Sequence, residues 1–425
     1  MKKIIFTILF VTIFVSISQS QIKFDDYFES ATLRIDYSHA GTNTISNIYL
    51  EQLKKEPYWG GSKKNLIDKF EYGQYRVEAY DSASDKLIYS KDYATLFQEW
   101  QSTDEAKIVP RSFYETVVVP FPKNTIKIKI EGRDKKNIFQ NEFEMYINPD
   151  NYFINPEVAK FPYKKLIDNG DPSAKIDVVF IPDGYTQNEM DKFAKDAEKF
   201  AGYLTKYDPY KQYATSFNFW RVDAPSEESG TDIPGKRVYK RTILNSSFFT
   251  FNSERYIMTY DVKSVRDVAG EVPYDLIVIL ANSTKYGGGA VYNYYSLFTA
   301  DDPYAELTMV HEFGHLFAGL ADEYVEVGGA TEGLYDLSLE PPDPNITTLV
   351  NFDKKWKDMI TEGVPIPTPN DKEYRDKVGA FEGAGYLAKG VYRPQYDCIM
   401  RSFNGNKFCV VCTKVITEMI KAYTE

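Results

Sequence analysis

Histidine and cysteine are scarce in this chain, with three of each among 425 residues. Two of the histidines, His311 and His315, stand four positions apart, so only His39 is left to extend them. A metal centre built mainly from imidazole is thereby excluded unless residue 39 is brought in from far away; any further ligand must offer oxygen or sulfur. No run of basic residues occurs and the formal net charge is −11, which excludes a protein built to hold a polyanion and leaves no nucleic-acid partner in view. Beyond the first twenty residues no apolar run is long enough to span a bilayer. Tyr286-Gly-Gly-Gly289 follows a strand-like stretch but lacks both Gly-Lys-Ser/Thr and GxGxxG spacing, so a phosphate-binding loop is excluded there too.

What is present begins with a processing signal. Lys2-Lys3 precede an apolar run from Ile4 to Ile17, and Ser18-Gln19-Ser20 offers small residues for cleavage, predicting a signal peptide over 1–20 and a mature start near Gln21. The apolar run is about 14 residues, short of the ~20 that a membrane helix needs. No cysteine follows it, which argues against a lipoprotein anchor. The expectation is an exported protein, secreted or held in the periplasm or at the cell surface, with no membrane span after signal cleavage.

The chain is long enough for two or three domains, and at 43% hydrophobic it can bury sizeable cores. From about 27 to 148 apolar and polar residues alternate, as in Thr32–Tyr37, Tyr75–Tyr80, Thr125–Ile130 and Glu142–Ile147, with Lys86–Tyr89 and Glu115–Val119 between them. One wet and one buried face per strand predicts two antiparallel sheets packed face to face, an all-β sandwich over 21–150. Pro120 and Pro122, and Gly132–Lys135, mark edges or turns. His39 reads as a surface histidine in a polar turn. Asn148-Pro-Asp-Asn151 and Asn155-Pro156 read as a linker.

After the linker the pattern becomes α/β (α+β), assigned to 151–425. Ile176–Ile181 suits a strand buried on both faces, and Thr186-Gln-Asn-Glu189 is a capping box for a helix to Leu204. Further strands are expected at Phe217–Val222, Tyr274–Leu280 and Ala290–Tyr295, with a helix near Ser253–Val268. The glycines before Ala290 suit an edge strand that a peptide substrate can extend.

The chemistry concentrates in Thr308–Tyr324, which holds His311-Glu312-x-x-His315. On a helix, positions i and i+4 share a face, so two imidazoles can bind one cation while Glu312 reaches a water held there. With so few histidines, this spacing with Glu after the first arises in about one shuffled sequence in a thousand. The third ligand is best assigned to Asp322, because Gly319 can end the helix and let the chain turn back. Glu323 is its immediate rival, and Glu326, Glu332 and Glu340 are the alternatives if a second helix supplies the ligand. One catalytic Zn2+ is the expected cofactor, held by His311, His315 and Asp322, with Glu312 as general base.

His311 to Asp322 resembles the metzincin signature HExxHxxGxxH/D, with one additional residue before the carboxylate. Asp322-Glu-Tyr324, Phe381–Tyr386, Gly390–Pro394 and Asp397–Ser402 resemble blocks of the M64 metallopeptidases, the family named for a bacterial IgA peptidase. The resemblance spans roughly 160–425 and extends through the β-rich module. It implies a metzincin-like zinc peptidase domain, a methionine turn at Cys398-Ile-Met400, and protein or glycoprotein substrates, immunoglobulin among them. Where several metzincins carry an oxyanion-binding Tyr two residues after the Met, this chain has Ser402; Tyr324, Tyr392, Arg393 and Arg401 are the candidate donors.

Cys398, Cys409 and Cys412 lie within fifteen residues, and in an exported protein the expectation is one disulfide and one free thiol. Cys409-x-x-Cys412 also has metal-ligand spacing, but no fourth ligand is evident. Trp356 is expected to anchor a Pro/Gly-rich cleft wall over 326–396, and Val411, Val415, Met419 and Ile420 mark a C-terminal amphipathic helix. The competing reading is an exported adhesin or glycan-binding module with a non-catalytic metal; Glu312 argues against it, because binding alone needs no base there.

Overall fold

The computed structural model describes residues 22–326 and 334–425; the expected signal segment, the Gln21 start and the candidate ligand Glu332 lie outside them. The N-terminal part runs α1 (Phe24–Tyr27), β1 (Phe28–Gly41), β2 (Ser46–Glu56), β3 (Tyr75–Asp81), β4 (Lys86–Tyr93), α2 (Leu96–Gln101), β5 (Arg111–Pro122), β6 (Ile126–Arg133), β7 (Phe139–Ile147) and β8 (Ile154–Asn155). These strands form two four-stranded sheets, ordered β5-β1-β2-β8 and β4-β3-β6-β7. On β6 the isoleucines at 126, 128 and 130 are buried while Lys127 and Lys129 are not, and they meet Leu33 and Ile35 of β1 in one shared core. Apolar alternation therefore aims one face of each sheet at the other.

Pro120 and Pro122 lie on β5, an edge strand, as the edge reading expects. Other local expectations change. β2 has no counterpart among the expected strands, since it exposes Tyr49 and Leu50 and buries Lys54, which blurs its alternation. The Asn/Pro-rich stretch expected as a linker carries β8, which pairs in parallel with β2. His39 is not a surface histidine. It lies on β1, paired on both sides, and its ring is fully buried against Phe97.

The C-terminal part adds β9 (Tyr163–Ile167), β10 (Ile176–Asp183), α3 (Met190–Leu204), β11 (Phe217–Val222), α4 (Val262–Ala269), β12 (Leu276–Ala281), β13 (Gly288–Val291), β14 (Tyr295–Thr299), α5 (Ala305–Ala318), β15 (Phe381–Ala384), β16 (Leu387–Arg393) and α6 (Val410–Thr424). Its main sheet runs β13-β14-β12-β10-β11-β9, parallel through β14, β12, β10 and β11, with antiparallel strands at both edges. Every residue of β10 is buried, as an apolar run between two covered faces requires. α3, α5 and α6 cover one face through Phe193, Phe313 and Ile416. α4 covers the other, joined by Phe97 and Trp100 of α2 from the N-terminal part.

The expected helix over 253–268 begins only at Val262, where Asp261 caps it by accepting from the Ser264 N–H. The expected strand over 290–295 is a hairpin instead: β13 ends at Val291, Asn293 takes a positive φ of 52°, and β14 starts at Tyr295. Trp356 is buried and donates its indole N–H to the Gly379 carbonyl. Among the described residues, no helix is long and apolar enough to cross a membrane.

Candidate metal centre

α5 contains no Pro and buries ten of its fourteen residues, so it runs through the core as a rigid support. It ends at Gly319, whose φ of +58° is left-handed and comfortable only without a Cβ. His311 and His315 project from the same side of the helix. The Nδ1 of His311 is 3.0 Å from the Ile399 carbonyl, and that of His315 contacts the Leu320 carbonyl. A carbonyl oxygen only accepts, so both Nδ1 atoms carry the proton and both Nε2 atoms present lone pairs.

Those lone pairs converge. The two Nε2 atoms are 3.1 Å apart, and Asp322 Oδ1 lies 3.0 Å from that of His311 and 3.4 Å from that of His315. With both ring protons on Nδ1, neither ring donates to the buried Oδ1, which has no hydrogen-bond partner. Three acceptors at such distances, two buried and His315 half-buried, repel unless a cation or an added proton stands among them. Tetrahedral coordination at 2.0–2.1 Å puts neighbouring ligand atoms ~3.3 Å apart, so the donor set fits a zinc-type ion. Burial disfavours protonation of both rings, yet Asp322 outweighs it, raising His311 and bringing His315 up to about 9. The field that attracts a proton there also attracts a metal cation.

Asp322 is itself held. Tyr386 Oη donates to Oδ2, the Gly385 N–H donates to the Asp322 carbonyl at 2.9 Å, and Asn345 brackets Ala321 with bonds of 2.7 and 2.9 Å. The other candidate ligands lie elsewhere. Glu323 faces the cysteines, with Oε1 3.3 Å from Cys412 Sγ. Glu326 is 3.8 Å from Arg255, and Glu340 accepts from the Asn351 N–H.

Glu312 is partly buried and faces a cleft of about 1170 Å³ that also exposes His311, His315 and Asp322. Burial raises its carboxyl above the usual range, against the lowering effect of the two histidines. β13 passes so close that a Cβ at Gly288 would stand 3.0 Å from Glu312 Oε1 and 2.8 Å from Thr308 Cγ2. Of the expected oxyanion donors, Tyr324 and Arg401 line this cleft. Tyr392 pairs with Thr347, and Arg393 donates to the Glu382 and Gly383 carbonyls, both away from it. Arg255, whose Nη2 is 3.1 Å from Tyr324 Oη, and Tyr386 also line the cleft. Arg255 has no signal in the sequence, and Tyr386 stands there only as the end of the block Phe381–Tyr386: no spacing ties an isolated Arg or Tyr to a distant helix.

Beneath the helix, Met400 is fully buried, and a Cβ on Gly314 would meet its Sδ at 2.9 Å. The expected disulfide is absent. All three cysteines are buried free thiols, and Cys398 Sγ and Cys412 Sγ are 3.9 Å apart against about 2.05 Å for a bond.

A search of curated proteins finds no match. The family model described as IgA Peptidase M64 matches residues 165–376 and 370–420, and that described as Peptidase M64 N-terminus matches 23–144. With family matches covering most of its length, this chain belongs to the M64 family of metallopeptidases.

Proposed function

We propose that the protein is a secreted, metzincin-like zinc endopeptidase, with a signal peptide over 1–20, a β-sandwich over 21–150 and a catalytic domain over 151–425. The observation that carries this reading is the convergence of His311 Nε2, His315 Nε2 and Asp322 Oδ1 beside Glu312 in one cleft. Those three residues would hold the ion; zinc, when bound, would supply Lewis acidity toward water and the scissile carbonyl. Glu312 takes the attacking water's proton at its carboxylate and returns it to the leaving amine. The Arg255–Tyr324 pair supplies hydrogen-bond donors for the developing oxyanion, with Arg401 on the same cleft. β13, an edge strand against α5, orients an extended substrate by strand addition. Met400 under Gly314 acts as the methionine floor. The substrates are proteins or glycoproteins, immunoglobulin among them.

The test is zinc analysis of the purified protein beside Glu312→Ala, each incubated with a mixed protein substrate. Zinc retained by both with cleavage by the native form alone supports the proposal. Zinc retained with no cleavage by either favours a binding module.

A further inference from the structure

On the far side of the segment that carries Asp322 lies a second cluster, which the peptidase chemistry does not use. Glu323, Cys398, Cys409 and Cys412 are all buried, and each offers a ligand atom within 4.8 Å of the other three. We propose that these four residues form a second, structural metal site for a thiophilic divalent cation of the zinc type.

The geometry is that of a tetrahedral S3O site. Zn–S bonds of about 2.3 Å separate two sulfurs by ~3.8 Å, and Cys398 Sγ and Cys412 Sγ are 3.9 Å apart. Glu323 Oε1 is 3.3 Å from Cys412 Sγ and is fixed by Asn345 Nδ2 at 3.0 Å. Its other oxygen is buried without a hydrogen-bond partner. A disulfide between Cys398 and Cys412 does not account for this, because it leaves the Cys409 thiol and the second oxygen of Glu323 buried without a partner.

The surroundings suit thiolates. Cys409 is the N-cap of α6 and Cys412 lies in its first turn, so the positive end of the helix faces the sulfurs. The Cys409 N–H points at Cys398 Sγ at 3.2 Å, and the Cys412 N–H at Cys409 Sγ at 3.4 Å. Each thiol binds as its thiolate and releases its proton to solvent. Three thiolates, a carboxylate and a divalent ion leave a formal charge of −2, offset by these N–H groups and by the buried guanidinium of Arg393, whose charge acts on Glu323.

The ion would staple three segments separated in sequence. Glu323 follows Asp322, and its N–H donates to the Met400 carbonyl at 2.8 Å. Cys398 precedes Ile399, the acceptor for His311 Nδ1. Cys409 and Cys412 begin the C-terminal helix. The second site thus fixes the backbone around the first without touching it.

Zinc content and Co2+ spectra of the full chain test this, in three forms. The native protein is expected to hold two ions per chain. His311→Ala/His315→Ala should keep one, with thiolate-to-cobalt charge-transfer absorption intact. Cys409→Ser/Cys412→Ser should lose that absorption and one ion. The histidine variant reads the cysteine site alone, so it remains decisive if the cysteine variant fails to fold and does not depend on peptidase activity. Absence of thiolate–cobalt absorption in the histidine variant, or a Cys398–Cys412 disulfide found by mass spectrometry of the unreduced native protein, would overturn the proposal.

Discussion

His311 and Ile399 are 88 positions apart in sequence, yet the imidazole Nδ1 of one lies 3.0 Å from the carbonyl oxygen of the other. That contact fixes the ring's tautomer and rotation and ties the helix of the first histidine to the floor beneath it. Outer contacts of this kind affect metal affinity by roughly 10–100-fold, and Asp322 depends on a comparable one.

Tyr386 supplies it. Its hydroxyl donates to Asp322 Oδ2 and keeps the other oxygen turned toward the histidines. Tyr386→Phe is expected to weaken zinc binding at the histidine site by roughly 10–100-fold, read by competition against a graded chelator. The change leaves the ring in place, so thermal stability should move far less than affinity. Unchanged affinity would mean that Asp322 needs no such support.

Gly288 faces Glu312 across the cleft, and the space between them does not admit a methyl group. Gly288→Ala is expected to displace the Glu312 carboxylate or push β13 outward, lowering kcat by about 10-fold or more while zinc stays bound. Steady-state kinetics and metal analysis on the same preparation separate the two effects. A loss of zinc parallel to the loss of rate would place the damage in the helix instead.

Much of this arrangement is legible in the sequence, for physical reasons that also explain what is not. β6 and β10 are readable because alternation and continuous apolarity each correspond to one way of being buried. Asp322 is readable because histidine is scarce and Gly319 stops the helix just before it. His39 misleads: its neighbours Ser38, Gly41 and Thr42 look like a turn, whereas β1 runs on to Gly41 with a partner on each side. Glu323 is hidden by its neighbour. Asp322 bonds through its carbonyl to Gly385 and Glu323 through its N–H to Met400, so the two carboxylates serve opposite sides of one segment, and the sulfurs beside Glu323 come from Cys398 and from the start of α6, far along the chain.

Gly314 and Met400 pack as a small residue over a large one. Gly314→Ala would bring a Cβ to 2.9 Å from the Met400 sulfur and 3.3 Å from Leu320 and Phe408. Overpacking of this kind typically costs about 1–3 kcal/mol, partly offset by the better helix propensity of Ala, about 1 kcal/mol. The expected outcome is a net loss of stability by denaturant unfolding, with weaker zinc retention because Ile399 moves with Met400. Met400→Ala added to Gly314→Ala should relieve the clash but leave a cavity. A more stable single variant would show that the floor yields freely.

His39 makes the stability of the N-terminal sheets depend on pH. Its ring is fully buried, with Nδ1 2.9 Å from Glu115 Oε2 and Nε2 2.7 Å from Ser46 Oγ and 3.5 Å from Glu142 Oε2, while Phe97 and Tyr75 pack on its faces. Burial disfavours the charged ring, but Glu115 and Glu142 outweigh burial and raise its pKa from 6.5 to about 9. Because the folded value lies above the unfolded one, the stabilisation is complete below pH 6.5 and is lost as pH rises through 9. The shift corresponds to about 3 kcal/mol at the acid end of that window. Urea unfolding of native protein and His39→Gln across this range should give curves that differ most at pH 6 and converge above 9. A difference that does not shrink with rising pH would show that His39 is buried neutral and acts through packing alone.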